Sequence, residues 1–281
     1  MTISLDGDRE THDRMRVFRG GSYDSTLPKI TEFLESRKGR VPVRATITHH
    51  NLDVVGIIRH LFSLGFDNVL MAPVTSTPSE PYSLTHSDIK VLKAGYTELA
   101  RYFLHIIRNK EKKSIMAFTA IMPKIYRATR RVYGCGGGRN YMMVDPVGAL
   151  SVCHRCGGEG RLKLGDIYKG IDPEKQKMIL HNYVDSREDC RACWARYLCG
   201  GGCIANNVVY YSTISKSNQQ MCDLYRHKVE LTMWLYSETY ETEREFIQRY
   251  CERYERTYMR EPSELEGDVQ KRKAKGKRPD G

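Results

Sequence analysis

Cysteine is the residue type in this sequence whose number and spacing could do chemistry. Nine cysteines occur in 281 residues, and seven of them lie between Cys153 and Cys222, with Cys135 just upstream. Cys190, Cys193, Cys199 and Cys203 follow the pattern Cys-x2-Cys-x5-Cys-x3-Cys, and Cys222 comes 18 residues later. Cys135 is followed by 12 residues, Gly148, four residues and Cys153. Iron–sulfur clusters need thiolates that converge from several directions on a body a few Å across. A Cys-x2-Cys turn offers two sulfurs on one side, and a further cysteine after a short loop reaches round another. Gly200-Gly201-Gly202 lets the backbone approach closely and supplies unhindered N–H groups toward sulfur. Zinc held by four cysteines is compatible with the same spacing and stays open at this point, although a plain ribbon of two Cys-x2-Cys pairs is not what the sequence contains. A disulfide framework is the poorer explanation, because the first residues lack the basic leader and apolar stretch of a secretory signal. Cys251 stands apart on a polar helical stretch and reads as an ordinary thiol.

The elements that must position these thiols follow from hydrophobic periodicity. Ile3-Ser4-Leu5 is a short strand running into the Asp6-Gly7 turn. A helix is expected over 25–36 with Leu27, Ile30, Phe33 and Leu34 at helical spacing. Val41 to Thr48 is a strand by its β-branched content. Asn51 or Asp53 caps the next helix, which carries Val54, Ile57, Ile58, Leu61 and Phe62 and ends at Gly65. Asn68 to Val74 is a third strand, and Thr85 to Asn109 a long amphipathic helix. Alternating strands and helices predict a parallel α/β unit. The loop from Thr75 to Pro81 lies at the end of the strands where such folds build ligand sites. After about Arg130 the character changes. Two short strands flank the turn Asp145-Pro146-Val147-Gly148, and apolar content is thin beside the cysteine density, as in modules stapled by metal. Val229 to Tyr258 is expected to be polar and helical.

Net charge is +11. Part of it sits in the run from Gln270 to Arg278, which is expected to be disordered. Neither a Cys/His finger pattern nor an RNA-binding aromatic signature accompanies it, which argues against nucleic acid as a main partner. No run of about 18 apolar residues exists, so no membrane partner is expected, and the chain is assigned to the cytoplasm.

The whole cysteine pattern, Cys-x(9–15)-Gly-x4-Cys, gap, Cys-x2-Cys-x5-Cys-x3-Cys, gap, Cys, resembles the SPASM domain. That domain is the auxiliary-cluster module of radical S-adenosylmethionine (SAM) enzymes that modify peptides or proteins. The surrounding words agree with it: Val144-Asp145-Pro146, Cys153-His154-Arg155, Leu164-Gly165-Asp166-Ile167, and the block from Cys193 to Cys203, which looks like that of maturases forming thioether crosslinks. The resemblance implies two 4Fe–4S clusters. One would use Cys190, Cys193, Cys199 and Cys222. The other would use Cys135, Cys153 and Cys203, with a fourth position filled by Cys156 or left to a substrate thiolate. It also implies roles for single residues. His154 is a weak catalytic candidate beside the cluster, while Ser4 and Arg44 lie on strands whose tips contact S-adenosylmethionine in the family. Asp6 is read only as shaping the turn after its strand.

The fold implied is α/β: the C-terminal half of a partial (β/α)6 TIM-like barrel over 1–115 (strands four to six), a loop-rich SPASM domain over 116–240, and a helix with basic tail over 241–281. The family's Cys-x3-Cys-x2-Cys motif, which holds the cluster that cleaves S-adenosylmethionine, does not occur, since no cysteine precedes Cys135. The cofactor is therefore expected only together with the missing N-terminal half, and the chain alone is expected to be inactive. A truncated gene or fragment explains this best. The expected partners are a peptide or protein substrate, a separate N-terminal radical SAM chain, and an electron donor such as a ferredoxin or flavodoxin. The alternatives are a non-catalytic peptide-binding or electron-transfer module and, less well supported, a zinc-stapled basic binding protein.

Overall fold

The structure, a computed structural model, describes residues 2–37, 39–157 and 160–258. The basic run from Gln270 to Arg278 lies outside the described residues.

The first half alternates β1 (Ile3–Ser4), α1 (Arg9–Met15), α2 (Tyr23–Ser36), β2 (Val43–Ile47), α3 (Val54–Ser63), β3 (Asn68–Pro73), α4 (His86–Arg108) and β4 (Ser114–Ile115). All four strands pair in parallel in the order β1-β2-β3-β4. The elements begin where local chemistry starts them. Asp53 accepts from the Gly56 N–H to cap α3, and Thr85 with Asp88 forms a reciprocal capping box on α4. Gly65, at φ +87°, turns the chain out of α3.

Alternation along β2 decides what faces the site. Val43, Ala45 and Ile47 are buried in the main core, whereas Arg44 and Thr46 point to the other face. Register aligns Ser4 with Arg44 and Arg44 with Leu70, so the residues beyond the core form a row across the sheet.

Two elements here lack a sequence signal. β4 has two residues, Ser114 and Ile115, too few for any period to show, and α1 is polar, started by the Asp8 side chain accepting from the Thr11 N–H.

The second half is a smaller module. Short helices α5 (Met116–Thr119) and α6 (Met122–Tyr126) lead to an antiparallel sheet in the order β5 (Met143–Val144), β6 (Ala149–Ser151), β7 (Lys163–Asp166) and β8 (Gly170–Ile171). Five helices follow: α7 (Pro173–Leu180), α8 (Glu188–Arg191), α9 (Arg196–Cys199), α10 (Ile204–Tyr211) and α11 (Gln219–Tyr240). α12 (Arg244–Tyr258) is the last among the described residues. The module's own core is small: Val152, Cys153, Cys156, Leu162, Leu164, Ile179, Ala205 and Val208.

The stretch expected as one polar helix is two. α11 starts ten residues earlier than Val229 and lies along α4, tied by Lys93–Asp223 at 3.3 Å, Thr97–His227 at 3.0 Å and Arg108–Glu238 at 3.1 Å. α12 buries Ile247 and Cys251 in the main core, and the Tyr250 hydroxyl meets Ser114 Oγ at 2.6 Å.

Asp6 does more than shape a turn. Its buried carboxylate accepts from the Thr46 N–H at 2.8 Å and pairs with Arg16 Nε at 2.7 Å, joining β1 to β2 and to the end of α1. Removing it strands a backbone donor. Asp6→Ala is expected to lower stability by about 1–3 kcal/mol in urea unfolding. A loss below about 0.5 kcal/mol, the range of an uninvolved surface change, would show that these bonds are not holding the strand.

Candidate functional site

Cys190, Cys193, Cys199 and Cys222 line one cavity of about 30 Å³. Each arrives by a different route. Cys190 sits on α8, and the turn closed by the Cys193 N–H to the Cys190 carbonyl at 2.9 Å places the second thiol. Cys199 ends α9. Beyond it Gly200, Gly201 and Gly202 have φ of +75°, +92° and +72°, a run that L side chains rarely adopt. A side chain at 200 would collide with the Tyr133 carbonyl, and one at 201 with the Arg187 guanidinium. The turn brings the N–H groups of Gly201 and Gly202 onto the Cys199 sulfur. Cys222 lies in the first turn of α11, whose cap Asn218 accepts from the Met221 N–H at 3.2 Å. Arg187, almost fully buried, ties the set together: its Nη2 donates to Cys190 Sγ at 3.0 Å and to the Gly201 carbonyl at 2.6 Å.

Cys135, Cys153 and Cys203 line a neighbouring cavity of about 500 Å³, which Cys199 and Cys222 also border. Cys156 is set back from it. Its buried sulfur lies 3.4 Å from Cys153 Sγ. The hydrogen bond from Cys156 and the N–H of Arg155 favour the Cys153 thiolate, and the same pairing with burial pushes the Cys156 thiol upward. Arg155 spans the two halves of the molecule, with Nη1 3.1 Å from Thr75 Oγ1 and 3.9 Å from Cys203 Sγ. The loop beginning at Thr75 therefore does reach the site.

Ser4, Arg44 and His154 border an adjoining cavity of about 250 Å³ together with Arg16, Thr46 and Arg155. Arg44 also lines the larger cavity, and its buried Nε has no hydrogen-bond partner among the described residues. Burial, with Arg44 and Arg155 nearby, lowers the His154 pKa, which keeps the imidazole neutral near pH 7.

Two cations go unnoticed in the sequence. Lys124 and Lys228 are buried, and desolvation pulls them down to about 7 and about 8 respectively, with the Cys199 thiol pushing back upward in both. Lys228 had a signal. It falls on the buried stripe of α11 formed by Leu224, Thr232, Leu235 and Thr239, where an apolar residue is expected. Arg187 had none, since nothing in a single arginine three residues before a cysteine marks it as a donor to sulfur.

Among the described residues, no group of three or more His, Cys, Asp or Glu is drawn together as for one metal ion. The thiols border voids instead. Iron–sulfur clusters suit this donor set: several thiols round one space, N–H and guanidinium donors on the sulfurs, and buried cations beside them.

The molecule is a mixed α/β protein with a parallel sheet, and its fold is similar to that of solved radical SAM enzymes. The solved structures it is similar to are of anSMEcpe, an anaerobic sulfatase-maturating radical SAM enzyme. The native protein with bound AdoMet and Kp18Cys peptide matches at TM-score 0.62 and 17% identity, over 82% of this chain and 66% of that one. The histidine-tagged protein with bound AdoMet matches at TM-score 0.67 and 16% identity, over 89% and 68%. The chain thus spans about two thirds of the length of these structures. No protein-family model and no curated protein sequence matches it. Among the described residues no helix is long and apolar enough to cross a membrane.

Burial orders the thiols by reactivity. Cys135 is exposed, whereas burial raises Cys199 and pushes Cys222 up to about 12. In metal-free protein, iodoacetamide at pH 7.5 is expected to label Cys135 first and Cys222 among the last, followed by peptide mass mapping. Labelling of Cys222 as fast as Cys135 would contradict this placement.

Proposed function

We propose that this chain is the auxiliary iron–sulfur portion of a radical SAM enzyme that modifies a ribosomally made peptide or protein. One observation carries the proposal. The four cysteines grouped by the family resemblance, Cys190, Cys193, Cys199 and Cys222, border one cavity, and Cys135, Cys153 and Cys203 border the next. The likeness to radical SAM structures, one of them holding AdoMet and a peptide, supports the same reading.

Each thiol set would hold one 4Fe–4S cluster, giving this region one-electron redox chemistry and iron open to a sulfur ligand where a fourth protein thiol is lacking. Residues 1–115 would form the barrel portion and 116–240 the SPASM domain. The chain's own residues have definable parts. Arg155 holds the Thr75 loop against the cysteine module. Arg44 and Ser4 face the adjoining cavity and would contact the cofactor's polar groups. His154, kept neutral, is placed to accept a proton there rather than donate one. The large cavity, bordered by both thiol sets, is where a peptide segment would enter.

The Cys-x3-Cys-x2-Cys motif is not among these residues, so radical generation would be supplied by a further segment or a partner chain with its own electron donor. That observation favours one second reading: a peptide-binding or electron-transfer module that works with a partner.

Anaerobic reconstitution tests the proposal. About eight irons and eight sulfides per chain are expected, with broad absorbance near roughly 400 nm. A paired C190A/C193A variant is expected to lose about four irons and keep the rest. One or two tightly held zinc ions and no sulfide would overturn the assignment.

A further inference from the structure

An ammonium group out of water is held in proteins where an opposite charge answers it. Lys124 is 5% exposed and Lys228 9%. Neither has a carboxylate partner among the described residues. Lys124 Nζ reaches one acceptor, the Leu198 carbonyl, at 3.5 Å. Lys228 Nζ lies 5.3 Å from the ring centroids of both Tyr96 and Tyr225. Two of these neighbours, Leu198 and Tyr225, adjoin the four-thiol cavity. Leu198 directly precedes Cys199, Tyr225 lines the cavity, and the Tyr225 hydroxyl donates to the same Leu198 carbonyl at 3.2 Å. Lys228 also lines the large cavity that Cys199 and Cys222 border. The two lysines come from different helices, α6 and α11, one reaching the carbonyl next to Cys199 and the other lining the cavity that Cys199 borders. A methionine would fill the α11 stripe without the desolvation cost of a charge, so packing alone does not account for the lysine there.

We infer that Lys124 and Lys228 set the reduction potential of the cluster held by Cys190, Cys193, Cys199 and Cys222. The inference rests on the reading of these four thiols as cluster ligands. Four thiolates give the bound cluster a net negative charge, and reduction adds one more. Positive charge on the two lysines near the cluster stabilises the reduced state most, raising the potential and easing entry of an electron from the large cavity. One electron enters, and the cluster's negative charge favours the protonated form of both ammonium groups. Dithionite supplies the electron in the test.

The test uses the full chain after anaerobic reconstitution, with reduction by dithionite followed by electron paramagnetic resonance at poised potentials. Lys228→Met and Lys124→Met are measured singly. At a potential where the wild-type cluster is half reduced, each variant is expected to have a reduced-to-oxidised ratio about tenfold lower, a shift of about 59 mV to lower potential for one electron. The cluster-free Lys228→Met protein is expected to melt no lower than wild type, an outcome that a structural lysine would not give. If Lys228→Met takes up no iron, Lys228→Arg decides: recovered loading and potential support the inference, and failure of both overturns it. An unchanged midpoint in fully loaded Met variants also overturns it, while leaving the cluster assignment intact. Failure of the wild-type chain to load iron and sulfide would remove that assignment itself, and the inference with it.

Discussion

Thiols can be gathered inside a protein only if the space between them is kept open and the charge they take on is answered. That constraint organises the second half of this molecule. Among the described residues its own larger core cluster has eight residues, two of them cysteines, and a second has three, which is thin for a module of this size. The side chains and turns round the thiols do the holding. Three successive glycines in left-handed conformation carry the chain past Cys199 and aim two N–H groups at its sulfur. Arg187 bonds a thiol and the glycine turn at once. Without a bound group, buried cations and orphaned donors beside a void are a cost.

The first half serves this site as a platform. Alternation along β2 sends Val43, Ala45 and Ile47 into the core and Arg44 and Thr46 to the other face. The register with β1 and β3 sets Ser4 and Leu70 beside Arg44. α11 binds the halves together by packing along α4 while contributing Cys222 at one end and Lys228 near its middle. Arg155 adds a polar tie to the Thr75 loop. The cavity between sheet and cysteines is therefore bounded by elements from both halves.

Much of this was legible in the residues. β2, α3, β3 and α4 follow from periodicity and caps, because each is long enough to show a repeat. The grouping of Cys190, Cys193, Cys199 and Cys222 came from the family resemblance, since spacing alone sets Cys203 with the first three; the four line one cavity. What escaped was short or isolated. β4, β7 and β8 are two to four residues long, and the break at Glu241–Glu243 divides a helical stretch with no proline or glycine to announce it. Arg155, Arg187 and Lys124 act through tertiary neighbours that no local pattern encodes. Lys228 was readable only as a violation, a charge on a stripe of otherwise uncharged residues. Local rules fail most often where a site requires it.

The central claim is that two separate thiol sets hold two iron–sulfur clusters. A crystal of the reconstituted chain measured for anomalous scattering at the iron edge tests it directly. The claim predicts two strong iron positions, one among Cys190, Cys193, Cys199 and Cys222 and one beside Cys135, Cys153 and Cys203. A single ion-sized peak, or scattering at the zinc edge in place of iron, would contradict it.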